Sequence, residues 1–131
     1  MQEFSVELSV RDYECDLQGI VNNAVYQHYL EHARHLFLKT RGVDFVDLTA
    51  RGIHVMVIRA ELDYRRSLRP GDTFRISLYT ERVSRLRMAF VQTIVLAGSD
   101  TPVMDARFVV AAIDPRGKPC FPPELERLLP L

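Results

Sequence analysis

Hydrophobic and polar residues alternate along residues 4–10. Phe4, Val6, Leu8 and Val10 share one side of this segment, whereas serines and a glutamate fall on the other. Alternation with a period of two places one set of side chains against a core and the other in water. The pattern therefore predicts a half-buried β-strand.

A helical period follows from Ala24 to about Thr40. The apolar residues recur every three or four positions, at Val25, Tyr26, Tyr29, Leu30, Ala33, Leu36 and Phe37. This spacing predicts a long amphipathic helix. Asn22 or Asn23 can cap its start with a side-chain oxygen, and Gly42 suits the position just past its end.

The pattern in the rest of the chain predicts a β-sheet. A short helical turn around residues 43–49 precedes segments that alternate or are apolar on both faces, at 54–65, 73–83, 87–97 and 103–113. The proline-rich segment 114–131 predicts an irregular or short helical tail. The order of one strand, one helix and four strands predicts a single α+β domain over residues 1–131. Its long central helix is wrapped by a five-stranded antiparallel sheet, which is the hotdog arrangement.

Composition excludes several classes of function. The chain has 131 residues, 47% of them hydrophobic, and 17 basic residues balance 17 acidic ones. A zero net charge argues against a general nucleic-acid binder. The two cysteines are too few for a disulfide framework or a zinc finger. No signal peptide or membrane-spanning apolar stretch is visible, so we expect a cytoplasmic protein without membrane contact.

The segment from Asp16 to the start of the helix carries the candidate chemistry. A carboxylate and a glycine turn stand directly before a helix, whose free N–H groups attract developing negative charge. Such a carboxylate can act as a nucleophile or as a base toward water, and the N–H groups can stabilise an oxyanion. The combination suits acyl transfer. The alternative is purely structural, with Asp16 forming a turn and Asn22 and Asn23 capping the helix.

The same segment resembles a known family. Its pattern is read at Asp16, Gly19, Val21, Asn22, Asn23, Tyr26, Tyr29, Glu31 and Arg34, and a strand with a Pro-Gly-Asp turn follows at 63–72. Both are similar to hotdog acyl-CoA thioesterases of the 4-hydroxybenzoyl-CoA thioesterase type and to related bacterial and plant acyl-thioesterases. The resemblance spans roughly residues 4–114. It implies hydrolysis of a fatty or aromatic acyl-CoA to the free acid and CoA.

The resemblance also implies roles for individual residues. Asp16 matches the catalytic carboxylate, and Asn23 offers its backbone N–H to the thioester oxygen. The substrate contacts implied are Val21, Asn22 and Tyr26, although core packing explains Tyr26 equally well. Ile20 stands where many relatives have histidine, a departure that bears on substrate or rate more than on reaction type.

Arginine clusters flank two of the predicted turns, one at 65–69 and the other at 82–87. Guanidinium groups suit the phosphates of CoA. We predict that Arg85 and Arg87 bind them, because side chains at a hairpin tip reach outward. The alternative is a solvated, charged hairpin.

The remaining ionisable residues on the helix predict packing rather than catalysis. Glu31 is spaced to form an ion pair with Arg34 or His35, and it is the second candidate carboxylate if Asp16 is inert. The histidines at 28, 32 and 35 share a helix face that is expected to look toward solvent or a subunit contact. No metal site and no cofactor are predicted.

Other readings of the same fold stay open. The thioester could be carried by acyl carrier protein rather than by CoA, or the domain could bind acyl groups without catalysis. A dehydratase is disfavoured, because no histidine falls between Asp16 and Asn23. The resemblance implies a homodimer or homotetramer with the site between subunits, and an exposed sheet edge would favour such pairing.

Overall fold

The computed structural model describes residues 4–130, which form one curled antiparallel sheet around a long helix. The strands are β1 (Phe4–Ser9), β2 (His54–Tyr64), β3 (Thr73–Ser84), β4 (Arg87–Leu96), β5 (Pro102–Ile113) and β6 (Pro119–Cys120). The helices are α1 (Asn23–Thr40), α2 (Phe45–Ala50) and α3 (Pro123–Glu126), with a 3₁₀ turn at Asp12–Glu14. The strand order is β1-β3-β4-β5-β2, with β6 added to β5. The predicted α+β order of elements is confirmed.

Helix α1 buries its predicted apolar stripe against the sheet. Its buried residues are Tyr26, Tyr29, Leu30, Ala33, Phe37 and Leu38, and they join the core formed by inward side chains of β3, β4 and β5. Asn22 is the residue that caps the helix, because its Oδ1 accepts from the Ala24 N–H at 2.9 Å. This leaves Asn23 as the first residue of the helix.

Strand β2 lies at one edge of the sheet and contains a bulge between Val57 and Arg59. The alternation predicted over 54–65 puts Met56, Ile58, Ala60, Leu62 and Tyr64 on one face, and it is wrong for its first half. The bulge changes which side chains face the helix, so Val57 and Ala60 line the same cavity beside α1. A single extra residue reverses a period of two.

The segment after β5 contains a short helix, as one of the two predicted forms of the tail has it, and also a short strand that was not predicted. Strand β6 pairs with β5, and α3 follows it. Leu125 and Leu128 are fully buried, and the Thr80 hydroxyl on β3 donates to the Leu128 carbonyl at 2.6 Å. The spacing of the leucines explains the difference, because it turns one side of a short helical turn toward the core.

Candidate active site

A tight loop carries Asp16 to the entrance of α1. Cys15 and Val21 form a β-bridge across it, and the Asp16 N–H donates to the Ile20 carbonyl at 2.9 Å. Asp16 Oδ1 accepts from the Gln18 N–H at 2.8 Å. Gly19 adopts a φ of 75°, a conformation that glycine tolerates best. The turn former and the candidate catalytic carboxylate are thus the same residue, and Asp16 remains exposed to solvent.

Glu14 and Tyr29 fasten this loop to the helix. The Tyr29 hydroxyl donates to Glu14 Oε1 at 2.8 Å, and the Arg11 N–H donates to the same oxygen at 2.8 Å. The Glu14 carbonyl accepts from the Asn22 N–H at 3.1 Å. Burial, and then the bond to Glu14, raise the pKa of Tyr29. No sequence motif indicated this contact, which holds the Asp16 loop against α1.

The start of α1 presents an open backbone donor. The Ala24 N–H is satisfied by the Asn22 cap, whereas within residues 4–130 the Asn23 N–H has no backbone or side-chain acceptor. The first N–H groups of a helix lack intrahelical partners and lie at the positive end of its dipole. The Asn23 N–H is therefore suited to an oxyanion or a polarised carbonyl oxygen.

A cavity of about 210 Å³ opens at this donor, and we call it the helix-start cavity. Its lining residues are Ile20, Val21, Asn23, Tyr26, Tyr64, Arg65, Arg66 and Ser67. The Tyr26 hydroxyl accepts from the Leu68 N–H at 2.9 Å, and its ring meets that of Tyr64 edge-on at 5.5 Å. Burial is the main cause that raises the pKa of Tyr26. Tyr26 is therefore a wall of the cavity and an anchor for the segment after β2.

The structure brings together most of the residues predicted for the site. Val21, Asn23 and Tyr26 line the helix-start cavity. Asp16 is not a lining residue, but its backbone is bonded to Ile20, which is. Asn22 stands next to the cavity as the helix cap, so its Oδ1 is already engaged.

Arg85 and Arg87 lie elsewhere in the same chain. Arg87 is opposite Ala111 on β5, and Ala111 is opposite Met56 near the start of β2. The cavity lies beside Tyr64, at the end of β2. The separation of eight positions from Met56 to Tyr64 spans about 26 Å of extended strand. One chain therefore does not bring this arginine pair to the cavity.

The other arginine cluster lines the cavity instead. The backbone N–H groups of Arg65 and Arg66 both donate to the Val103 carbonyl, at 2.8 and 3.1 Å. Arg65 Nε also donates to Asp105 Oδ2 at 2.6 Å, a bond that raises the pKa of the guanidinium. Within the part of the chain that the structure describes, the Arg66 side chain has no ion-pair partner. The sequence signal for these two residues was the arginine cluster at 65–69, which precedes the Pro-Gly-Asp turn.

A second cavity, of about 330 Å³, also lies at the helix start, and we call it the side cavity. Its lining residues are Ala24, Gln27, His28, Glu31, Arg34, Val57, Ala60 and Phe108. Asn23 lines one cavity and the next residue, Ala24, lines the other. A ligand held at the helix start can therefore reach both.

The predicted ion pair of Glu31 with Arg34 or His35 is wrong, because no ion pair within residues 4–130 includes Glu31. Arg34 turns toward the sheet, donates to Gln92 Oε1 at 3.0 Å and lies over the Phe108 ring at 4.2 Å from its centroid. Gln92 is buried, and its Nε2 donates to the Leu30 carbonyl at 3.0 Å. Burial lowers the pKa of Arg34 to about 10. Packing and a neutral hydrogen bond hold the guanidinium, so the expected helix-surface pair does not form.

The helical histidines, His28, His32 and His35, are exposed. Among residues 4–130 no group of histidine, cysteine and acidic side chains is arranged to hold a metal ion. Cys15 and Cys120 are free thiols. None of the helices described above is both long and apolar enough to cross a bilayer.

Comparison with known proteins decides the family. The family model of the thioesterase-like superfamily matches residues 10–129 of the chain. The chain belongs to this superfamily. It is 33% identical to the chloroplastic acyl-acyl carrier protein thioesterase ATL3 of Arabidopsis thaliana, over 91% of this chain and 63% of that protein. It is 30% identical to the long-chain acyl-CoA thioesterase FadM of Escherichia coli, over 82% and 81% of the two chains.

The superfamily's fold is also shared in three dimensions. A crystal structure of a 1,4-dihydroxy-2-naphthoyl-CoA thioesterase from Synechocystis superposes with a TM-score of 0.92, covering 98% of this chain and 96% of that one at 18% identity. The predicted hotdog fold is confirmed. The chain spans less than two thirds of the length of the Arabidopsis relatives, ATL3 and ATL2.

Proposed function

We propose that the protein hydrolyses an acyl-CoA thioester to the free acid and CoA. The observation that carries the proposal is the open Asn23 N–H at the mouth of a cavity, directly beyond the loop that presents Asp16. A donor for the carbonyl oxygen and a carboxylate are the two groups that thioester hydrolysis needs. Membership of the thioesterase-like superfamily supports the same reaction.

In the proposed reaction, the thioester oxygen accepts a hydrogen bond from Asn23 as negative charge develops on it. Asp16 then acts in one of two ways. It attacks the carbonyl carbon, forms a mixed anhydride and releases CoA thiolate, after which water cleaves the anhydride. Alternatively, it takes a proton from a water molecule that attacks directly. Labelled solvent oxygen found in the Asp16 carboxylate after a single turnover would identify the first route.

The two cavities suggest how the substrate lies. With its carbonyl at the helix start, one arm of the thioester enters the helix-start cavity beside Arg65 and Arg66, and the other enters the side cavity beside Ala24 and Phe108. Arginine forks suit the CoA phosphates, and the ring of Phe108 suits a fatty or aromatic acyl group. We therefore assign CoA to the first cavity and the acyl group to the second.

A homodimer would complete this site. Within residues 4–130 no strand pairs with the outer edge of β2, and its apolar side chains Met56, Val57 and Ile58 are 40%, 45% and 43% exposed. Such an edge favours pairing with a second copy. If the two edges pair antiparallel, the start of one β2 lies beside the end of the other. The Arg85–Arg87 hairpin of one protomer then approaches the helix-start cavity of its partner. A tetramer would be a pair of such dimers.

Replacing both arginines of the hairpin, Arg85→Ala with Arg87→Ala, is expected to raise KM for acyl-CoA about tenfold and to leave kcat nearly unchanged. These side chains would contact CoA phosphates and not the reacting carbonyl. Steady-state kinetics on CoA esters measure the effect. Arg75→Ala is the control and should keep KM, because Arg75 is a half-buried arginine on β3 that pairs with Asp100. An unchanged KM in the double variant would remove the hairpin from the CoA site.

Acyl carrier protein is the second candidate carrier, because the Arabidopsis relatives are named acyl-acyl carrier protein thioesterases. Matched CoA and carrier-protein esters of the same fatty and aromatic acids, assayed by release of free thiol, separate the two. We expect faster hydrolysis of the CoA esters. Faster hydrolysis of the carrier-protein esters would reassign the carrier, and tight binding without thiol release would indicate a non-catalytic acyl-binding module.

We place the protein in the cytoplasm, since a reducing compartment suits its free thiols.

A further inference from the structure

Glu31 and Arg34 carry opposite charges on one face of α1, yet they do not pair with each other. Both line the side cavity. Arg34 contacts Gln92 and the rings of Phe90 and Phe108, all of them uncharged. Among the ion pairs between residues 4 and 130, none includes Glu31 or Arg34. An acid and a base therefore face the same space, each without an opposite charge at ion-pair distance.

The side cavity lies at the uncovered edge of the sheet. Val57 and Ala60, which form one of its walls, are both exposed although they face the helix side. The opposite wall is α1. Arg34 is half-buried, with its guanidinium over the Phe108 ring at 4.2 Å from the centroid, and this burial lowers its pKa. Covering this edge would remove more water from both charges, which is costly unless each gains a partner.

A second copy of the chain supplies those partners by symmetry. In a twofold interface, if residue i of one protomer contacts residue j of the other, then j contacts i in return. Arg59 is the central residue of β2, which runs from His54 to Tyr64. Val57 and Ala60 lie on either side of Arg59, and both line the side cavity. If the twofold axis passes through the middle of the paired β2 strands, it therefore passes beside this cavity. A patch that holds one acid and one base is complementary to itself about such an axis.

We propose that Glu31 of each protomer forms an ion pair with Arg34 of the other, and that these two reciprocal pairs close the acyl cavities in the dimer. The proposal rests on the dimer of the proposed function and names the charges that specify it. Each acyl cavity is then complete only when the second copy is present. The structure favours this occupant over a substrate carboxylate, because Glu31 in the same cavity would repel one.

Reversing the charge of the acid tests the pairing. Glu31→Lys places two lysines opposite two arginines, so we expect the dimer dissociation constant to rise at least about tenfold, measured by analytical ultracentrifugation without substrate. Glu31→Gln should weaken the dimer less, because it removes attraction without adding repulsion. Glu31 is exposed on a helix, so both variants should keep the far-UV circular dichroism spectrum of the folded protomer. Lys39→Glu, an exposed charge reversal on the same helix, is the control and should dimerise normally.

Mixing two variants tests whether the pair is reciprocal between chains. Glu31→Lys mixed with Arg34→Glu should form heterodimers in which every charge meets its opposite, whereas each variant alone stays largely monomeric. If Arg34→Glu does not fold, the comparison of Glu31→Lys with Glu31→Gln still decides. An unchanged dissociation constant for Glu31→Lys would overturn the proposal. A normal dimer of Arg34→Gln with a raised KM confined to carboxylate-bearing acyl groups would assign Arg34 to substrate instead. Charge-dependent dimers without any thioester hydrolysis would uphold the pair and reject the proposed activity.

Discussion

Asp16→Asn is expected to lower kcat for acyl-CoA hydrolysis by about 10²- to 10⁴-fold, whichever of the two routes operates. An amide is a poor nucleophile and a poor base, so both routes lose their reacting group. The loop should survive, because the asparagine oxygen can still accept the Gln18 N–H that Asp16 Oδ1 accepts at 2.8 Å. Thiol-release assays under single-turnover conditions measure the chemical step directly.

Asp12→Asn is the matched control. Asp12 lies in the 3₁₀ turn four positions earlier and is also exposed, and its side chain makes no hydrogen bond within residues 4–130. This variant should keep nearly full activity, and both variants should unfold at the temperature of the unmodified protein. A fully active Asp16→Asn protein would exclude Asp16 as the reacting carboxylate and would turn attention to Glu31, which lines the side cavity.

The fold was predictable because its signals are local. The period of two in β1 and the period near 3.6 in α1 each occupy a single stretch of chain, and burial follows them closely. The bulge near Ile58 in β2 was not predictable, because one extra residue reverses the inward face without altering the apolar composition of the strand. The burial of the tail leucines was not predicted, because the core that they join is built from residues far away in sequence.

The residues of the candidate site also fall into two groups, those that the sequence indicated and those that it did not. Asp16, Asn23 and Tyr26 come from one continuous stretch, so a motif could indicate them together. Arg65 and Arg66 join the site only because their backbones bond to Val103 on β5, a contact far away in sequence. For Arg34 the sequence indicated a contact that does not form. Helical spacing indicated Glu31 as its partner, but Gln92, 58 positions later, holds it instead.

Asn23→Pro is expected to lower kcat by about 10²- to 10³-fold, because it deletes the backbone donor for the oxyanion. The helix should tolerate the change. Asn23 is its first residue, where proline is favoured and no intrahelical bond is lost. The preceding residue, Asn22, is already extended, with φ −63° and ψ 141°, as a residue before proline requires.

Asn23→Ala separates the backbone from the side chain at the same position. It removes the amide but keeps the N–H, so its kcat should stay within a few-fold of the unmodified protein if the backbone donor is what matters. Circular dichroism and thermal unfolding of both variants check that α1 is intact. Equal losses in the two variants would assign the effect to the Asn23 side chain, and an active Asn23→Pro protein would exclude the helix start as the oxyanion site. The pair of substitutions thus tests the role of a single backbone donor. Within residues 4–130 the Asn23 N–H has no hydrogen-bond acceptor.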